Sequence, residues 1–64
     1  MSTFTLSVVD GKEITTTIHN SLADAIETFS ENFDPMREYP MTFTGIQAAA
    51  DAQGVRMDIT CHDQ

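Results

Sequence analysis

Residues 20–33 read NSLADAIETFSENF. Leu22, Ile26, Phe29 and Phe33 recur at steps of four, three and four, the spacing of one apolar face of an α-helix. Asp24, Glu27 and Glu31 recur at steps of three and four and form a second stripe that carries only negative charge. Asn20 or Ser21 can cap the helix, and Ser21 followed by Asp24 approximates a capping box. Pro35 pushes Asp34 out of helical geometry, so the helix is expected to end near Phe33. Its apolar stripe needs a sheet to cover.

The flanking segments supply one. Upstream, residues 3–9 (TFTLSVV) place Phe4, Leu6 and Val8 on one face. Residues 13–19 (EITTTIH) place Ile14, Thr16 and Ile18 on one face, and Asp10-Gly11 marks the turn. A two-residue Asp10-Gly11 loop would put the two apolar sets on opposite sides of the hairpin. A three-residue loop, Val9-Asp10-Gly11 with Gly11 left-handed, pairs Leu6 with Ile14 and Phe4 with Thr16, and is the preferred expectation.

Downstream, DPMREYP (residues 34–40) is a loop held between two prolines. Residues 41–43 (MTF) can form a short strand. Thr44 with Gln47 three later fits a capping box, which predicts a helix over about 45–53 on that pattern. Gly54 sits where a left-handed C-terminal cap belongs. The helix presents Ile46, Ala49 and Ala50, small enough for close packing on a sheet. Residues 55–61 (VRMDITC) alternate, with Val55, Met57, Ile59 and Cys61 inward, and residues 62–64 (HDQ) read as a frayed tail. The expected fold is α+β over residues 1–64 as one domain. A small, mainly antiparallel sheet of three strands, or four if residues 41–43 form one, carries two helices on one face in the order ββα(β)αβ.

Sixty-four residues bury a thin core, and 41% hydrophobic residues are too many for a disordered chain. Ten acids against three bases give a net charge of -7. That argues against direct contact with nucleic acid or an anionic membrane, since each phosphate contact needs a cation. It fits a basic partner, or solubility alone. The single Cys61 excludes an internal disulfide. The N-terminus lacks the pattern of a signal peptide, and no apolar run approaches the roughly 20 residues that span a bilayer. A cytosolic protein is expected.

Five of the ten acids, Asp24, Glu27, Glu31, Asp34 and Glu38, fall within residues 24–38, where Arg37 alone opposes them. A helix built for stability would set Lys or Arg four residues from each Glu. A row of anions without that compensation is a candidate binding face, able to stand in for a nucleic-acid backbone against a Lys- and Arg-lined groove; a solvated face of an acidic protein accounts for it equally. Met36 and Tyr39 are of types enriched at interface cores and sit on the proline-stiffened loop, although Tyr39 also suits a cover over the core edge. His19, His62, Cys61, Asp58 and Asp63 are metal-ligand types, but Cys61 and His62 point to opposite faces of a strand and no metal-binding spacing occurs. Neither a metal nor a cofactor is expected, and no motif supports catalysis.

The length, the MSTFT start into a hairpin, the acid on SLADAIETFSEN and the absence of a catalytic motif resemble the small acidic anti-CRISPR proteins of bacteriophages. The resemblance lies in size, charge and architecture over the whole chain. It implies a non-enzymatic inhibitor in the host cytosol. Such a protein would bind a basic nucleic-acid-binding surface of a Cas subunit or surveillance complex and block DNA access by mimicking DNA charge. The alternative is an assembly module that binds a partner or itself through a sheet edge, with strand 55–61 or 3–9 as that edge. A monomer is expected rather than a homodimer.

Overall fold

A computed structural model describes residues 2–63. The chain runs β1 (Ser2–Asp10), β2 (Glu13–His19), α1 (Leu22–Phe33), α2 (Phe43–Ala52) and β3 (Arg56–Asp63). The three strands form an antiparallel sheet in the order β2-β1-β3. Helix α1 lies against β1 and β2, and α2 against β3. The fold is therefore α+β, with both helices on one face of the sheet. β1 is the central strand, so residues 3–9 are not a sheet edge; β2 and β3 are the edges.

Between the layers lie Leu6 and Val8 of β1, Ala25, Ile26 and Phe29 of α1, Ile46, Ala49 and Ala50 of α2, and Val55. Phe33, Tyr39, Met57 and Ile59 close the margins of this core. The rings of Phe29 and Phe33 stack with centroids 4.7 Å apart. Leu22, expected in the apolar stripe, is 40% exposed. It is the first residue of α1, and Ala25 is the buried residue of the first turn.

The hairpin differs from expectation. Asp10 pairs with Glu13, so the loop is Gly11-Lys12 and not Val9-Asp10-Gly11. Gly11 has φ 63° and Lys12 a negative φ, the φ pattern of a type II′ turn, which takes glycine at its first central position. The register sets Leu6 opposite Thr17 and Val8 opposite Thr15. Thr15, Thr17 and His19 therefore face the helices, while Ile14, Thr16 and Ile18 face away. Ile14 and Ile18 are each 72% exposed, beside Val9 and Thr5 on the uncovered face. The inward side of β2 is occupied instead by a hydrogen-bonded polar group centred on His19.

Residues 41–43 do not form a strand. Thr42, with extended backbone, caps α2 through its Oγ1, which accepts the Gly45 N–H at 3.0 Å. The helix thus begins at Phe43, and Thr44, the expected cap, lies inside it. Gly45 is needed for a close approach: a Cβ there would overlap the Pro40 carbonyl oxygen and lie 2.8 Å from its carbon. Gly54, at φ 70°, follows the helix in left-handed geometry, as expected. β3 extends past Cys61, with His62 opposite Thr3 and Asp63 opposite Ser2. The Ser2 hydroxyl donates to Asp63 Oδ1 at 2.8 Å, so His62 and Asp63 are strand rather than frayed tail, while Gln64 lies outside the described residues. Cys61 is exposed, because it lies beyond Ile59, the last β3 residue that packs on the core.

Candidate acidic interface

Ala25, Ile26, Phe29 and Ser30 turn inward from α1, which leaves Asp24, Glu27 and Glu31 exposed on its solvent side. Glu27 and Glu31 are four residues apart, about 6 Å along the axis at the helical rise. Among the described residues the one acid–base side-chain contact within 4.0 Å is between His19 and Asp24. No Lys or Arg among them therefore lies within ion-pair distance of Glu27, Glu31 or Glu38.

Asp24 has a second commitment. Its backbone N–H donates to the Ser21 Oγ at 3.1 Å, the N-cap bond of α1. Its carboxylate oxygen Oδ2 lies 2.7 Å from His19 Nδ1, and His19 Nε2 lies 2.7 Å from Thr17 Oγ1. A neutral imidazole protonated on Nδ1 donates to Asp24 and accepts from Thr17; an imidazolium donates to both. The order hydroxyl, imidazole, carboxylate is that of an acyl-transfer triad. Here both imidazole nitrogens are used inside the fold and His19 is 8% exposed. A surface depression of about 420 Å³ between α2 and β3, lined by Gln47, Asp51, Arg56 and Asp58 among others, includes none of the three. The arrangement fixes α1 onto the edge strand.

Asp34 leaves the expected row. It is 6% exposed, and its carboxylate oxygens accept the N–H groups of Glu38 and Tyr39, each at 2.9 Å. Its carbonyl accepts the Arg37 N–H at 3.0 Å. This carboxylate shapes the loop and is not presented to a partner. The loop it builds turns at Arg37, a non-glycine residue with φ 56°. The Arg37 Nη1 donates to Met41 Sδ at 2.8 Å, and the one base of the segment makes no ion pair with the α1 acids. Glu38 is exposed and Met36 is 82% exposed, whereas Tyr39 is half-buried against the core.

Of the seven residues expected to contact a partner, Glu27, Glu31, Glu38 and Met36 are free and exposed, and Asp24 is exposed but tied to His19. Asp34 and Tyr39 serve the fold. The sequence reading weighs His19 only as a metal-ligand type and does not single out Thr17, so the Thr17–His19–Asp24 contact is the feature it lacks. Alternation along residues 13–19 was a signal for Thr17 and His19, since it places both on the same face. Among the described residues no three His, Cys, Asp or Glu side chains form a group able to hold a metal ion. No described helix is long and apolar enough to cross a membrane. No family model, curated protein or solved structure matches the chain.

Proposed function

We propose that this chain is a non-enzymatic acidic ligand for a basic nucleic-acid-binding surface on another protein, and that it blocks nucleic acid by occupying that surface. The observation that carries the reading is the uncompensated acid of α1. Glu27 and Glu31 project from one rigid helix face without a cationic partner, and the nearby Arg37 is turned to Met41. Glu38, on the loop after α1, and Asp24, exposed beside its His19 contact, add further acid at the surface. Such a surface speeds encounter with a Lys- and Arg-lined groove and selects against acidic partners. The partner class suggested by the resemblance is a Cas subunit or surveillance complex.

The test is capture from a bacterial lysate that contains CRISPR-Cas complexes, at low and at high salt, with duplex DNA as competitor. The expected result is a basic nucleic-acid-binding protein held at low salt and displaced by DNA. The double variant Glu27→Lys, Glu31→Lys, which leaves the core stripe and the His19 contact intact, should lose it. Undiminished capture by that variant overturns the reading.

A further inference from the structure

β2 is an edge strand, and its residues 14–18, ITTTI, read the same in both directions. We propose that two copies of this chain pair antiparallel through β2, in a register centred on Thr16, so that their sheets join about a twofold axis. The hydrogen-bonding groups fit that register. Asp10 and Glu13 flank a two-residue turn and so exchange both of their backbone bonds. Alternation then directs the backbone groups of Thr15, Thr17 and His19 toward β1. It leaves the N–H and C=O of Ile14, Thr16 and Ile18 directed to the open edge. Centring on Thr16 sets Thr16 opposite Thr16 and Ile14 opposite Ile18 of the second copy, and these are the residues whose groups are free.

The side chains agree. Ile14 and Ile18, each 72% exposed, would meet as cross-strand pairs on the uncovered face. Glu13 would lie opposite His19 of the second copy, so no like charges face each other along the strand, although each chain carries -7. The two edges also differ in protection. β3 carries Arg56, Asp58 and Asp63, whereas β2 has no charge and no proline between Glu13 and His19. Charges and prolines are the usual means of keeping an edge single. A twofold contact between identical strands sets residue i opposite j and j opposite i, and in this register the repeat of ITTTI in both directions places an isoleucine opposite an isoleucine twice, with Glu13 opposite His19. The sequence alone points to a monomer; the outward isoleucines change that expectation.

Sedimentation equilibrium tests the proposal, at concentrations up to about 1 mM, where even a millimolar dissociation constant is visible. The expected result is a mass that doubles with concentration, and a dimer that salt strengthens by screening the repulsion of two acidic chains. Capture of a basic partner by the α1 acids responds to salt in the opposite sense, so the two readings fail separately. Thr16→Lys sets two like charges opposite each other across the axis and should abolish the dimer while the melting temperature is kept. The double variant Ile14→Glu, Ile18→Lys restores opposite charges in this register and should dimerise, whereas Ile14→Lys, Ile18→Lys should not. A wild-type chain that stays monomeric throughout, a dimer that survives Thr16→Lys, or open-ended assembly overturns the proposal.

Discussion

His19 Nδ1 and Asp24 Oδ2 lie 2.7 Å apart, which fastens the last residue of β2 to the first turn of α1. The imidazole is buried and the carboxylate is largely exposed. The histidine therefore depends on the contact more than the aspartate does. Replacing Asp24 by Ala leaves a buried ring nitrogen without its partner and should cost about 1–3 kcal/mol in urea unfolding. Glu27→Ala and Glu31→Ala, which break no contact, should stay within about 0.5 kcal/mol of the wild type. Three equal losses would show that the helix reads its acids as one electrostatic unit and not as one anchor and two free groups.

Asp34 closes the loop after α1 by accepting two backbone N–H groups. Asp34→Ala leaves both without an acceptor and should lower stability by about 1–3 kcal/mol. Asp34→Asn keeps one acceptor oxygen and should lose less. Hydrogen exchange at the Glu38 and Tyr39 amides reports the effect directly, and unchanged protection in the alanine variant would contradict the assignment.

Gly45 sits inside α2, where alanine would ordinarily stabilise a helix by up to about 1 kcal/mol. The Pro40 carbonyl reverses that sign, since a Cβ would meet backbone rather than a yielding side chain. Gly45→Ala should destabilise by roughly 1–3 kcal/mol, the usual cost of overpacking. A raised melting temperature would mean that the 34–40 loop shifts at no cost.

Ser30 is buried on the inner side of α1, and its Oγ has no hydrogen-bond partner. Ser30→Ala removes the unpaired group at almost constant volume and should raise stability by about 1 kcal/mol. Thermal unfolding measures this, and a loss on substitution would show that the hydroxyl is satisfied in solution.

Both helices and β3 could be read from periodicity because each buries a single apolar face, and Ser21 and Gly54 carry their usual capping roles. The hairpin register could not, because its apolar residues do not share a face. Ile14 and Ile18 mark the outer side of β2, while Thr15, Thr17 and His19 mark the inner. A parity argument assumes that apolar side chains face the core, and it fails on a strand whose buried side is a hydrogen-bonded polar group. The glycine at the first turn position was the local signal that favoured the observed loop. Asp34 was hidden in the same way, since an acid next to other acids looks like surface charge. The Asp34-Pro35 pair, which favours turn initiation, pointed to its loop-building role.

Ser2 pairs with Asp63, so the first strand of the chain lies beside the last. These two residues are 61 positions apart in sequence. The β1–β2 hairpin and α1 close through local contacts, whereas the β1–β3 ladder closes a long loop and carries the larger entropic cost. Until that ladder forms, one side of β1 stays open, and that interval is when this small protein is most exposed to wrong pairing.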